Sequence, residues 1–152
     1  MQDEQKPISV SLMALHGHWL TADAVNQRIH IDVGQRGKGP QLPDHLEALG
    51  QHYSKGLMLT VFYGLIYVIV EGYRELQLKD ETIDALLTNS DFVDHLRRFR
   101  NAVFHFQKVP LDERLVKFLD MPGSGIWIGD LFKAFDTLLM RELPISRRTW
   151  SA

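Results

Sequence analysis

The segment Arg100-Asn101-Ala102-Val103-Phe104-His105 brings together three side chains suited to handling a phosphodiester. Histidine can exchange a proton near neutrality. Arginine can hold a phosphate through directed hydrogen bonds and offset the negative charge of a phosphorane-like transition state. Asparagine supplies a donor and an acceptor without adding charge. Such a set suits attack by an RNA 2'-hydroxyl on its own adjacent phosphate. No cluster of carboxylates accompanies it, which weakens a two-metal nuclease reading, and the chemistry calls for no cofactor. A plainer explanation stays open beside this one: the histidine is solvated, Arg100 pairs with Glu71 or Asp94, and Asn101 sits on a wet face.

These residues fall on a segment with strong helical periodicity. Advancing about 100 degrees per residue from Phe92 places Leu96, Phe99, Val103 and Phe106 in one apolar stripe. The same arithmetic puts Asp94, Arg98, Asn101 and His105 on the opposite side, with Asn101 and His105 one i, i+4 step apart. Arg100 falls at the edge of the apolar sector, beside Leu96 and Val93. A guanidinium there must reach solvent or find an anionic partner, because an unpaired buried cation is costly. The helix is expected to start with a cap at Ser90 or Asp91 and to run to Phe106, before Pro110 imposes an extended or turn conformation nearby.

The rest of the chain must hold that helix in place. At 152 residues it is long enough for one ordinary domain, expected over 8–143 with flexible ends at 1–7 and 144–152. Hydrophobic residues make up 45% and charged residues 24%, a globular rather than disordered balance. Seventeen basic against nineteen acidic side chains leave a net charge of -2, so any RNA site must be local. Arg97, Arg98 and Lys108, together with Arg100, offer such a patch. The chain has no cysteine, which removes disulfides, thiolate nucleophiles and cysteine metal sites. The amino end lacks the pattern of a secretory signal, and a cytoplasmic location is expected.

Leu57 to Val70 is an uncharged run of fourteen residues. As helix it covers only about 21 Å, short of a ~30 Å hydrocarbon core, so it is expected to be a buried central helix rather than a membrane span. That helix should run from Pro43 to Leu76 or Leu78, with a kink near Gly56 or Gly64. Tyr63, Tyr67 and Val70 or Glu71 share a face on it, and the tyrosines read as core. A first helix is expected over Ile8 to Ile31, with Leu12, Leu15, Trp19, Ala22, Asn26 and Ile29 in periodic positions. Gly34 to Pro40 reads as a loop carrying Arg36 and Lys38.

Short helices are expected from Asp80 to about Asn89 and from Asp112 to Leu119. After the breaker Met121 to Gly125, a final helix from about Trp127 to Leu143 turns Leu131, Phe135, Leu138 and Leu139 inward and stops at Pro144. Arg147, Arg148 and Trp150 fall in the tail. The whole reads as an all-α, up-down helical bundle of about four or five main helices with short additional ones. His16 and His18 point about 200 degrees apart on a helix and His45 and His52 lack a third ligand, so no metal site is expected. No phosphate-binding glycine loop, zinc-protease motif or nucleophile elbow is present.

The run Leu96-Arg-Arg-Phe-Arg-Asn-Ala-Val-Phe-His105 resembles the signature of the HEPN superfamily, the "higher eukaryotes and prokaryotes nucleotide-binding" helical domains. Their motif is an arginine, four to six residues, then a histidine, commonly with a polar residue after the arginine. It maps here onto Arg100, Asn101 and His105 at the shortest spacing. The resemblance implies a metal-independent endoribonuclease of a toxin-antitoxin or other defence system, cutting single-stranded RNA. It implies a homodimer whose two motifs face a shared cleft, with an antitoxin or other regulatory protein as a further partner. Arg100 would contact or polarise the scissile phosphate, His105 would serve in proton transfer or phosphate contact, and Asn101 would position one of them. Glu71 resembles the acidic residue that some members place beside the arginine. Other relatives have kept the bundle and lost cleavage, so a noncatalytic protein-interaction or nucleotide-binding module is the alternative.

Overall fold

Six helices, each started or stopped by an identifiable local signal, make up the computed structural model, which describes residues 9–30, 44–109 and 111–143 and, over 44–52, only the backbone. The expectations for Gly34 to Pro40, for the two ends of the chain and for Arg36, Lys38, Arg147, Arg148 and Trp150 lie outside the described residues.

Helix α1 spans Val10–His30 and buries Leu15, Trp19 and Ala22, a spacing of four and three that turns one stripe inward. Ser9 opens it, its hydroxyl accepting from the Leu12 amide at 3.3 Å. Helix α2 spans Asp44–Glu75, about 48 Å of continuous helix. It passes through Gly56 and Gly64 without interruption. At its C-terminal end Gln77 takes the left-handed conformation, with φ 54°. The Leu78 amide then reaches the Tyr73 carbonyl at 3.1 Å and the Gln77 amide reaches Arg74 at 3.0 Å, the bond pattern of a Schellman stop.

Helix α3 (Glu81–Leu87) is capped by Asp80, whose carboxylate accepts from the Thr82 and Ile83 amides. Helix α4 (Ser90–Phe104) is capped by Asn89, one residue earlier than expected. It stops at Phe104, two residues short of the expected Phe106. Helix α5 (Glu113–Asp120) is capped by Asp112. Helix α6 (Ser124–Glu142) begins three residues before Trp127, the left-handed Gly123 (φ 81°) turning the chain into it. No strand occurs among the described residues, and α1, α2, α4 and α6 form an up-down bundle with α3 and α5 as short additions.

Helix α2 is the central member and packs against α1, α4 and α6. Phe62, Tyr63, Ile66, Tyr67, Ile69, Val70 and Tyr73 are its buried hydrophobic residues among those described, so Tyr63 and Tyr67 are core as expected. By length and composition alone Tyr53–Glu75 is long and apolar enough to cross a membrane; in the fold its inner faces supply the bundle core. Two indoles and a phenol of the core are paired across helices. The Trp19 indole donates to the Phe132 carbonyl at 3.2 Å and the Trp127 indole to Leu86 at 3.0 Å. The Tyr73 hydroxyl donates to Asp84 at 2.6 Å, and burial together with that bond pushes its pKa well above the usual phenol range.

Candidate active site

The seam between α2 and α4 follows from two aligned stripes. On α2, Gly64, Tyr67, Glu71 and Arg74 recur at spacings of three and four and lie along one line. On α4 the corresponding line is Ser90, Asp94, Arg97 and Arg100 or Asn101. Contacts fix the two helices antiparallel: Arg100 meets Glu71, and one turn further along α4 the Phe104 ring lies over Gly64. A methyl group at Gly64 would stand 2.9 Å from Phe104 Cε2, so the absence of a side chain there is what lets the end of α4 close on α2.

Arg100 is held from two sides. Its Nη2 donates to Glu71 Oε1, and its guanidinium carbon lies 5.1 Å from the centre of the Tyr67 ring. The arginine side chain is 22% exposed while the glutamate is 44% exposed, so water reaches the pair from the carboxylate side. Arg100 Nε is buried and has no hydrogen-bond partner. An unmet buried donor costs about 1–3 kcal/mol, while the pair with Glu71 is the one that the plainer, structural explanation of Arg100 foresees. Asp94, the other acid open to Arg100, is occupied elsewhere: it binds Arg97 at 2.9 Å and Arg98 at 3.0 Å. The hydrogen bond from Arg97, with the nearby Arg98 charge, holds the Asp94 carboxyl below the usual carboxylate range. The basic patch of Arg97 and Arg98 is therefore partly neutralised, while Lys108 is exposed.

His105 lies off the helix. Its backbone is extended (φ −111°, ψ 143°), which makes it the C-cap of α4 and carries the chain out of the helix after it. The His105 amide still makes the helical i, i+4 backbone bond to the Asn101 carbonyl, at 3.2 Å. Asn101 is half-buried and the imidazole exposed. Phe106, expected to continue the apolar stripe, is 92% exposed because the chain has already left the helix.

The segment after His105 is tied back by residues that the sequence reading passed over. Gln107 Nε2 donates to the His105 carbonyl at 3.0 Å, and Arg114 Nη2 donates to Gln107 Oε1 at 2.9 Å. Arg114 is itself clamped by Asp112, which accepts from the Arg114 side chain at 2.8 Å and from its amide at 2.9 Å. Nothing in the local sequence distinguishes this chain of contacts, beyond an Asp capping a short helix. The side-chain bond from Arg114, followed by the amide bond, lowers the Asp112 pKa to about 2.

A folded-state value below the ordinary 3.8 means that Asp112 favours the folded arrangement above that value, and the contribution is lost as pH falls from about 4 through about 2. An NMR titration of the Asp112 carboxyl carbon is expected to show its midpoint near 2, and Arg114→Ala is expected to return it towards the ordinary range. An unchanged midpoint in that variant would refute the tether.

Among the described residues no three His, Asp or Glu side chains stand together as a metal-ligand group. His16 and His18 lie on α1, and the side chains of His45 and His52 lie outside the described set. Comparison with protein-family models, curated proteins and solved structures finds no match to this chain. The functional reading therefore rests on the residues and their geometry.

Proposed function

We propose that this protein is a metal-independent endoribonuclease of the HEPN type that cuts single-stranded RNA in the cytoplasm and acts as a homodimer within a toxin-antitoxin or other defence system. The observation that carries the reading is Arg100: a guanidinium fastened by Glu71 and Tyr67 yet still 22% exposed, five residues before an exposed histidine. In the reaction the RNA 2'-oxygen bonds to phosphorus, the bond to the 5'-oxygen breaks, and a 2',3'-cyclic phosphate and a 5'-hydroxyl result. One proton leaves the 2'-hydroxyl and one reaches the departing 5'-oxygen. His105 moves a proton, Arg100 offsets charge at phosphorus, and Asn101 positions one of them. Glu71 keeps the guanidinium at the seam and, being water-accessible, can yield part of it to an incoming phosphate.

Dimerisation belongs to the proposal because one chain leaves His105 on an open surface, and a cleft needs a second wall. Phe104, Phe106, Val109 and Leu111, its near neighbours in sequence, are exposed and offer apolar surface for that contact. The same surface favours the second reading, a noncatalytic interaction module whose motif serves only to bind a partner.

Purified protein is expected to cleave single-stranded RNA in excess chelator, leaving cyclic-phosphate ends, and to sediment as two chains. Inactivity on a broad RNA panel, with no inhibitory partner present, selects the interaction module instead.

A further inference from the structure

On the side of Tyr67 away from His105, the α2–α4 seam opens into a groove. A cavity of about 280 Å³ is lined by Tyr67, Arg74, Ser90, Asp94 and Arg97. Arg74 and Leu87 are shared with a wider recess of about 580 Å³ that runs on towards Lys79 and Thr88. Tyr67 is the wall between this groove and Arg100, since its ring touches the guanidinium and also lines the cavity.

Three properties make the groove a polyanion track. Its charged lining carries Arg74, Arg97 and Lys79 against Asp94 and Asp84, a net positive balance on a chain whose overall charge is -2. Asp94 is shared between two cations, Arg97 and Arg98, so the pairing neutralises only part of their charge, and Asp84 accepts from the Tyr73 hydroxyl. Arg74, by contrast, is exposed and its side chain makes no hydrogen bond or ion pair among the described residues. Ser90 adds a hydroxyl at the first turn of α4, where the helix dipole also favours negative charge.

We propose that this groove holds the single-stranded RNA next to the scissile phosphate, with one backbone phosphate between Arg74 and Arg97 and the adjoining nucleoside in the recess towards Lys79. The assignment extends the nuclease reading and rests on it for the direction of the strand. Along α4, Arg97 and Arg100 are about 4.5 Å apart in rise, so a strand lying in the seam meets successive guanidinium groups. Specificity beyond the cut site would then come from the recess, through contacts of the bound base with Gln77 and Thr88.

The test is binding of a fluorescent 2'-O-methyl oligoribonucleotide, which cannot be cut, measured by anisotropy over a range of salt. Arg74→Glu is expected to weaken binding roughly tenfold, and Arg74→Gln to reduce the slope of log affinity against log salt by about 0.7, the loss of one phosphate contact. Arg28→Glu, the same charge change on exposed α1, is expected to bind as wild type. If Arg74→Glu binds no worse than Arg28→Glu, or the wild-type chain does not bind the probe, the groove assignment is wrong. Binding that depends on Arg74 without any cleavage of ordinary RNA keeps the groove and removes the nuclease. Cleavage in which Arg74→Glu matches wild type removes the groove and keeps the nuclease.

Discussion

His105→Ala is expected to reduce RNA cleavage by roughly 10²–10⁴-fold, the usual contribution of a positioned proton-transfer group. The same substitution should leave stability within about 0.5 kcal/mol, as surface changes away from special features do. The two expectations separate cleanly at this position. The imidazole is exposed and makes no hydrogen bond, ion pair or ring contact among the described residues. Its backbone bonds, the amide to Asn101 and the carbonyl from Gln107, survive truncation to alanine.

Arg100→Ala is a poorer first test, because it also leaves Glu71 without its partner and strips the Tyr67 ring of its cation. Loss of activity there would mix chemistry with packing. Cleavage assays in chelator paired with thermal melting therefore decide the matter at His105. Full activity in a normally melting variant ends the catalytic assignment, and lost activity with a lowered melting temperature would mean that the residue supports the fold instead.

How much of this was legible in the sequence depends on range. The bundle could be read because each long helix repeats its apolar residues at helical spacing, as Leu15, Trp19 and Ala22 do on α1 and Leu131, Phe135, Leu138 and Leu139 do on α6. The short helices expected to begin at Asp80 and Asp112 begin one residue later, with those two residues as their caps. The end of α4 was not. No glycine or proline stands between Phe104 and Val109 to announce it.

Distant contacts mark that end: Phe104 settles over Gly64 on α2, and Arg114 on α5 holds Gln107, which holds the His105 carbonyl. A helical wheel carries none of this, so it continued α4 and its apolar stripe to Phe106, which is 92% exposed. The Glu71–Arg100 pair lies between these extremes. A guanidinium at the margin of an apolar stripe demands an acid, and two acids were open to it; the alignment of α2 with α4 selects Glu71 while Arg97 and Arg98 occupy Asp94.

Phe118→Ala is expected to cost about 3–5 kcal/mol, the range for emptying a buried aromatic site. For a domain of this size that lowers the melting temperature by roughly 10 °C. Phe118 has no exposed surface and its ring meets those of Phe99 at 5.5 Å, Tyr63 at 5.9 Å, and Phe92 and Trp127 at 6.5 Å. It is also the one fully buried residue of α5. An eight-residue helix is too short to persist by itself, so without this anchor α5 has little reason to remain docked.

The consequence for the site is specific. Undocking α5 removes Arg114 from Gln107 and so frees the segment that fixes where His105 stands. Cleavage is therefore expected to fall at temperatures well below the melting point of the variant. Hydrogen exchange is expected to speed up first at the amides from 105 to 120, with α1 and α2 still protected. Val10→Ala supplies the contrast, since a side chain that is 82% exposed at the start of α1, away from the proposed dimer contact, should leave both melting and exchange unchanged. If Phe118→Ala melts within 2 °C of wild type, or its exchange rises evenly over all the helices, then α5 does not anchor the histidine-bearing segment and the position of His105 must be set from elsewhere, by the second chain that the proposed cleft requires.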